Sequence, residues 1–189
     1  MANKIAIGMA CQDTIKTKTA FSLIHSLRYA PFEYDFFVQM SCDLIGNRVR
    51  LIRQAIEGGF THLLFVDHDV FFPPRKGVSV ITRLLEQEKD IIGAPYNFRS
   101  LPLKSTAFPV DGEDLSKPYR CHAIPTGLML INLKIFEKIP EPWIQFGRDA
   151  KGNMVHGEDA FLCQKAIEHG FEVWADPTLD VKHIGDYEF

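Results

Sequence analysis

The first half of the chain alternates short apolar runs with amphipathic segments, and this alternation limits the possible folds more than any other feature. Runs rich in branched or aromatic residues predict buried strands at 4–9, 34–40, 61–66 and 90–94. Apolar residues at helical spacing predict helices between them at 15–28, 44–57 and 76–88. In the first helix, Phe21, Ile24 and Leu27 share one apolar face. Strands that alternate with helices predict an α/β fold with a Rossmann-like, mostly parallel sheet flanked by helices.

The second half predicts a small antiparallel addition to that sheet. Periodicity is lost from Pro95 to Pro118, which indicates a long loop, and long loops in compact domains are more often functional than idle. Beyond this loop we expect strands at 119–124, 127–132, 171–175 and 179–183. A helix is expected at 158–169, ended by Gly170. With neither repeats nor a linker, residues 1–189 are expected to form one domain.

Composition excludes several classes of protein. A formal net charge of -3 and an isoelectric point near 6.2 give no general surface for nucleic acid or an anionic membrane. The four cysteines form no CxxC pair, so neither a zinc cluster nor a disulfide framework is indicated. No signal peptide or membrane span is indicated, and we expect a cytoplasmic protein with free thiols.

The segment THLLFVDHDVFFPP is the strongest functional signal in the sequence. Its apolar strand delivers two carboxylates, Asp67 and Asp69, at the carboxyl end, and ligands of open α/β sheets bind beyond these strand ends. Carboxylate oxygens suit Mg²⁺ or Mn²⁺, which can bridge to phosphate oxygens. The alternative is an acidic turn in which Asp69 only caps the next helix.

Two later segments add candidate polar groups. VHGEDAFLCQKAIEHGF sets Glu158 and Asp159 at the start of a helix, and helical spacing places Asp159 on the row that faces the core or a cleft. Acidic residues there also suit the helix dipole without any function. DPTLDVKHIG ends a strand in His183, whose imidazole could complete a metal site begun by two aspartates. A lone histidine is, however, more often structural.

Two arginines, Arg48 and Arg99, lie in segments that lead to the same expected crevice. A guanidinium matches phosphate oxygens in a bidentate geometry, so either arginine could bind a diphosphate. An ordinary solvated helix face explains the neighbouring Arg50 and Arg53 better than it explains Arg48.

The order of these motifs resembles GT-A glycosyltransferases in the broad neighbourhood of family 2. The resemblance runs from Asn47 to Gly185, through NRVRLIRQAIEGGFTHLLFVDHDVFFPP, IIGAPYNFRS, PTGLMLINLKIFEKI, the GED run and the distal histidine. It implies a GT-A fold, a nucleotide-sugar donor linked to UDP or GDP, and a divalent metal.

The resemblance also implies roles for individual residues. Asp69 and His183 would bind the metal, with Asp67 on the metal, its water or the ribose. Asp159 would be the catalytic base beside Glu158. The implied donor contacts are Arg48, Asp67, His68, Asp69 and Arg99. The implied acceptor or sugar contacts are Tyr96, Thr126 and Gly127, where the glycine would let substrate approach the backbone.

Two other functions stay open. A nucleotidyltransferase that makes nucleotide sugars would have a similar sheet, but a glycine-rich basic loop should follow its first strand, and GMACQDTIKTK is poor in glycine. A non-enzymatic sugar- or nucleotide-binding module would use the acids only as turn caps. The acceptor, the stereochemistry and a possible homo-oligomer are not determined by the sequence.

Overall fold

The computed structural model describes residues 3–28, 30–73 and 79–185, and it is built around one mixed sheet of eight strands. Within these ranges the sheet strands are β1 (Lys4–Cys11), β2 (Glu33–Met40), β3 (His62–Val66), β5 (Ile91–Gly93), β6 (Phe108–Pro109), β7 (Tyr119–Ala123), β8 (Leu128–Asn132) and β11 (Val173–Ala175). Two small ribbons are formed by β4 (Val70–Phe71) with β12 (Lys182–His183), and by β9 (Gly147–Arg148) with β10 (Met154–His156). The helices are α1 (Thr17–Leu27), α2 (Leu44–Glu57), α3 (Val80–Glu86), α4 (Glu158–Glu168) and a short 3₁₀ helix, Leu133–Glu137.

The strand order is β2-β1-β3-β8-β5-β11-β7-β6. The first three strands are parallel neighbours, β8 runs antiparallel between β3 and β5, and β11 is parallel to β5. Strands β7 and β6 extend the far side by antiparallel pairing. Six of the eight strands therefore point the same way, which confirms the predicted α/β class with an antiparallel addition.

Both faces of the sheet are covered by helices. Alternate residues of β3 enter different cores: Leu63 and Phe65 pack on the side of α2 and α4, and Leu64 and Val66 on the side of α1 and α3. All four are buried, as expected for a parallel strand between two helical layers. The buried strand predicted at 61–66 is therefore confirmed.

Helix α2 is delimited by the signals that its sequence carries. The Asp43 side chain accepts a hydrogen bond from the Gly46 amide at the first turn, 2.9 Å away. The helix ends at Glu57, and Gly59 adopts a positive φ of 65°. A left-handed residue after a helix favours glycine, which has no Cβ to clash. These ends fix the position of Arg48 on the buried face.

The apolar face of α1 is turned differently from what its pattern suggests. Phe21 and Ile24 are more than half exposed, whereas Leu23 and the small residue Ser22 are buried. The Ser22 hydroxyl donates a hydrogen bond to the Lys18 carbonyl and accepts one from the Phe72 amide. The second bond holds α1 close to the segment that follows β4. Exposed Ile24 lies beside Tyr34 and Phe36 of β2, so an apolar surface extends from α1 to the edge strand of the sheet.

Several short elements were not anticipated. Strands β4, β6, β9 and β10 consist of two or three residues each, too few to show a period, whereas β12 lies within the strand expected at 179–183. Helix α3 begins at Val80, capped by the Ser79 hydroxyl, and its expected start at 76–78 lies outside the described residues. All four cysteines are free. No helix of the described ranges is both long and apolar enough to cross a membrane.

Candidate active site

A cavity of about 440 Å³ opens at the carboxyl ends of the three parallel strands β1, β2 and β3. We call it the strand-end cavity. Its walls come from the residues that follow each strand and from the segment after β5. The lining side chains are Ala10, Cys11, Gln12, Asp13, Thr14, Ser41, Cys42, Leu44, Asn47, Arg48, Asp67, His68, Asp69, Arg99 and His183. This is where α/β sheets of this kind bind ligands, and the volume suits a small molecule.

A two-stranded ribbon brings the distal histidine to the paired aspartates. Strand β4 directly follows Asp69, and β12 pairs with it antiparallel, so that His183 lies opposite Val70. The Ile184 amide donates to the Asp69 carbonyl at 2.7 Å. The His183 Nε2 atom is thereby held 3.5 Å from Asp69 Oδ1. The predicted convergence of these two residues is present in the structure.

The other oxygen of Asp69 faces a guanidinium. Arg99, from the loop after β5, contacts Asp69 Oδ2, and His68 Nε2 lies 3.7 Å from the same oxygen. Asp69 itself is buried, whereas Arg99 is partly exposed. Burial and the nearby Arg99 charge lower the pKa of His183, which favours the neutral imidazole needed for metal binding.

Arg48 connects two separate parts of the site. It is only 3% exposed, and its Nη2 atom donates to Asp67 Oδ1 at 3.1 Å while Nη1 contacts Glu158 Oε1. The guanidinium therefore joins the end of β3 to the start of α4. With these two carboxylates as partners, Arg48 orients Asp67 and Glu158. Few of its guanidinium N–H groups are therefore left to bind a phosphate.

A second, larger cavity of about 960 Å³ adjoins the first at His183, which lines both. We call it the apolar cavity. Its lining residues are Tyr96, Phe98, Thr106, Phe108, His122, Ala123, Ile124, Pro125, Val155, His156, Gly157, Glu158, Asp159, Ala160, Gln164, Ile167, Glu168 and His183. The site thus has two compartments with different chemistry.

Asp159 lies in the apolar cavity at the first turn of α4. Its Oδ1 atom accepts a hydrogen bond from the Ala160 amide at 2.7 Å. Burial and the neighbouring Glu158 charge raise the pKa of Asp159. A carboxylate in such surroundings accepts protons more readily than an exposed one, which suits a base.

Tyr96 packs over Gly127 and beside His183. Its ring meets the imidazole edge-on with centroids 5.2 Å apart, and a Cβ added at Gly127 would collide with the tyrosine hydroxyl. Gly127 and Thr126 are buried and line neither cavity, whereas Tyr96 lines the apolar one. Tyr96 occupies the space that a side chain at Gly127 would need, and substrate contact with the Gly127 backbone stays a prediction.

The predicted metal ligands are only partly assembled. Across residues 3–28, 30–73 and 79–185, no group of three or more His, Cys, Asp or Glu side chains is close enough to hold an ion. Asp69 and His183 are together, but Asp67 faces Arg48. Mg²⁺-class ions are commonly held by one or two protein groups together with substrate phosphates. The residues present fit an ion bound in that way.

The loops after β1 and β2 were missed as candidate site residues. Gln12, Asp13 and Thr14 follow β1, and Ser41 and Cys42 follow β2, and all five line the strand-end cavity. The rule that singled out Asp67, its position just beyond a strand's carboxyl end, applies equally to these residues. None belongs to a recognisable motif, which is why the sequence did not draw attention to them.

No protein-family model and no curated protein matches the chain. Solved structures do match. A197 from STIV superimposes with a TM-score of 0.67 and 16% identity over 97% of this chain and 86% of that one. GalNAc-T7, solved with UDP, GalNAc and Mn²⁺, gives a TM-score of 0.63 and 11% identity over 100% of this chain and 44% of that one.

A nucleoside-diphosphate-sugar pyrophosphorylase from Vibrio cholerae RC9 gives a TM-score of 0.53 and 12% identity over 92% of this chain and 91% of that one. The chain thus spans less than half of the GalNAc-T7 chain but most of the other two. At these identities the likeness establishes the fold alone. The chain has the GT-A-type α/β fold, in the structural neighbourhood of a glycosyltransferase and a nucleotide-sugar pyrophosphorylase.

Proposed function

We propose that the protein is a metal-dependent glycosyltransferase that moves a sugar from a nucleoside-diphosphate donor to a hydroxyl acceptor. The observation that carries this proposal is the approach of His183 Nε2 to Asp69 Oδ1, 3.5 Å apart, at the mouth of the strand-end cavity. An acidic and an imidazole ligand at strand carboxyl ends form a place for a cation that also binds a diphosphate.

Asp69 and His183 would hold the ion, Mn²⁺ or Mg²⁺. When bound, such an ion neutralises charge on the diphosphate as it leaves the sugar. The donor nucleotide would occupy the strand-end cavity, where Asp67 is oriented by Arg48 and His68 lies beside Asp69. The presence of UDP and Mn²⁺ in the GalNAc-T7 structure supports this arrangement.

Arg99 would change partners when the ion arrives. It contacts Asp69 Oδ2, so it competes with a metal for that carboxylate. Displaced from Asp69, its guanidinium stays beside the strand-end cavity on a partly exposed loop. There it can bind donor phosphate oxygens in a bidentate geometry.

The acceptor would enter the apolar cavity. Asp159 would accept the proton of the attacking hydroxyl, for which the two oxygens must come within roughly 2.6–3.2 Å. Its raised pKa, caused by burial and Glu158, supports this assignment. That role applies to transfer with inversion. In transfer with retention the departing phosphate can take the proton, and both outcomes are compatible with the proposal.

A nucleotidyltransferase is the second candidate, favoured by the fold match to the Vibrio cholerae RC9 pyrophosphorylase. Such an enzyme would convert a nucleotide sugar and pyrophosphate into nucleoside triphosphate and sugar 1-phosphate. Against it, Gln12, Asp13 and Thr14 after β1 offer no glycine-rich basic loop.

The first experiment is a thermal-shift panel of UDP-, GDP- and dTDP-sugars with and without Mn²⁺, because a ligand that binds only the folded protein raises its melting temperature. Calorimetry with Mn²⁺ and the selected nucleotide follows, using Asp69→Asn and, as a matched control, the exposed Asp111→Asn. We expect metal-dependent nucleotide binding in the wild type and the control only. Binding without metal, or equal binding by Asp69→Asn, would remove the metal role.

Product analysis separates the candidates. Nucleoside diphosphate released while the sugar becomes bound to an added acceptor supports transfer, and nucleoside triphosphate formed with added pyrophosphate supports the nucleotidyltransferase. If neither Mn²⁺ nor any nucleotide of the panel binds, the protein is not an enzyme of this class.

A further inference from the structure

We infer that the apolar cavity selects an uncharged glycoside with an apolar aglycone, and that it rejects acceptors carrying phosphate or carboxylate groups. The inference rests on the proposed function, which makes this cavity the acceptor side. It goes further by naming the chemical class of the acceptor.

Apolar side chains that are left exposed line the cavity. Phe98 and Phe108, from the long segment after β5, are 44% and 53% exposed. Val155 of β10 and Ile167 of α4 are also exposed and belong to the same cavity. Exposed apolar groups gathered from three elements around one cavity are typical of a binding site. They favour an apolar ring or chain as part of the ligand.

Hydrogen-bonding groups in the same cavity suit sugar hydroxyls. Asp159 lies at the start of α4, and Gln164 and Glu168 follow along the same helix, with Gln164 Nε2 donating to Glu168 Oε1 at 3.1 Å. Carboxylate and amide oxygens accept hydrogen bonds from hydroxyl groups. The combination of these acceptors with apolar walls fits a molecule with a polar ring and an apolar substituent.

The charge of the lining excludes anions. Among the described lining residues there are three carboxylates, Glu158, Asp159 and Glu168, three histidines, His122, His156 and His183, and neither lysine nor arginine. Arg48 pairs with Glu158 and its charge also acts on Asp159, whereas Glu168 has no described ion pair. A phosphate or carboxylate would therefore meet like charges in a partly enclosed space, where repulsion is strong. The arginines Arg48 and Arg99 line the other cavity, where a diphosphate is expected.

The proposed sugar transfer needs only the donor and the acceptor, and its atoms and electrons balance. The acceptor hydroxyl oxygen forms a bond to the anomeric carbon of the donor sugar, and the bond from that carbon to the diphosphate oxygen breaks. The nucleoside diphosphate leaves with the electron pair. The hydroxyl proton passes to Asp159, or to the leaving phosphate if configuration is retained.

The test compares three matched sets of acceptor in the absence of donor: benzyl glycosides of the common hexoses, the free hexoses, and the hexose 6-phosphates. Binding is measured by saturation-transfer difference NMR and calorimetry. We expect at least one benzyl glycoside to bind about tenfold tighter than its hexose, since one aromatic contact is worth about that factor. The hexose phosphates should not bind.

Variants identify the cavity. Phe108→Ala and Ile167→Ala should each weaken the benzyl glycoside about three- to tenfold. Leu115→Ala, exposed in the same segment as Phe108 but outside the cavity, is the control and should change nothing. Glu168→Lys at the exposed end of α4 should let a hexose phosphate bind.

The results separate this inference from the proposed function. If benzyl glycosides bind and the variants act as described but Mn²⁺ and nucleotide do not bind, the glycoside site stands and the transferase proposal fails. If Mn²⁺ and nucleotide bind but the phosphates bind more tightly than the benzyl glycosides, or no glycoside binds, the inference is overturned and the donor site is unaffected.

Discussion

Arg99 and Asp69 form an ion pair at the point where the loop after β5 meets the end of β3. The Asp69 carboxylate has His183 on one oxygen and the guanidinium on the other. A positive charge thus already pairs with the carboxylate to which the proposal assigns a metal ion. The consequences of this contact can be measured without any acceptor.

Removing the Arg99 charge should strengthen metal binding. In Arg99→Ala the carboxylate loses its competitor, and we expect Mn²⁺ alone to bind about three- to tenfold tighter. This range reflects a partly exposed ion pair that contributes about 1 kcal/mol. Transfer activity should fall in the same variant, because the phosphate contact is lost. Calorimetry with Mn²⁺ measures the first effect, and Arg99→Lys, which keeps the charge, is the control. Equal or weaker Mn²⁺ binding by Arg99→Ala would contradict the competition.

Substitution of Arg48 should lower the free energy of unfolding more than substitution of an exposed arginine. Arg48→Met leaves Asp67 and Glu158 without their buried partner, which typically costs about 3–5 kcal/mol. Arg53→Met on the same helix removes an exposed pair with Glu141 and should cost at most about 1 kcal/mol. Urea unfolding of both variants gives the comparison. If the two lose similar stability, Arg48 is not what holds β3 and α4 together.

Asp159 should stabilise the fold less when it is charged. Because its folded-state pKa is raised above the unfolded value, the protonated form is favoured in the folded protein. Its contribution is complete below the unfolded pKa and is lost as pH rises through the folded one. Asp159→Asn should therefore melt at a higher temperature than wild type at neutral pH, and the difference should shrink on acidification.

The same substitution should abolish transfer if the reaction inverts configuration. Wild-type activity should then fall as pH drops through the raised Asp159 pKa, since the base must be deprotonated. Rate profiles of wild type and Asp159→Asn, together with melting curves, test both statements. An Asp159→Asn enzyme with wild-type rate would assign the proton to another group.

Gly127 should be intolerant of any side chain. In Gly127→Ala the new methyl group would collide with the Tyr96 hydroxyl and approach Val70, and overpacking of this kind costs about 1–3 kcal/mol. Tyr96→Phe added to Gly127→Ala should restore part of the loss, because the first clash is with the hydroxyl oxygen. Thermal melting of the single and double variants measures this. Since Tyr96 also supports the His183 ring, Mn²⁺ affinity should follow the same order.

The sequence predicted the layers of the fold well and their connections less well. Apolar runs identified β1 and β3, which are buried along almost their whole length, and helical spacing identified α2, whose buried residues recur every three or four positions. It could not show that β8 inserts between β3 and β5, because strand order depends on contacts distant in the chain. It also misjudged α1, since Ser22 is buried by its hydrogen bonds while Phe21 is left exposed.

The candidate site was predictable where residues follow a strand end and unpredictable where side chains meet in space. Asp69 and His183 could be paired because each ends a recognisable motif. The Arg99 contact with Asp69 and the Arg48 bridge to Glu158 depend on a loop path and a helix rotation, which no local pattern encodes. Tyr96 fills the space above Gly127, and this contact is likewise not encoded by any local pattern.

His183 lies where the two compartments meet and contributes to the lining of both. A change in the tilt of the His183 ring alters the shape of both cavities at once. Binding of a ligand in one cavity should therefore change the affinity of the other cavity for its ligand. Each reactant should then change the affinity for the other by the same factor, and a substitution of His183 should shift the binding constants of both reactants together. Separating the effects on the two reactants requires substitutions at residues that line only one of the two cavities.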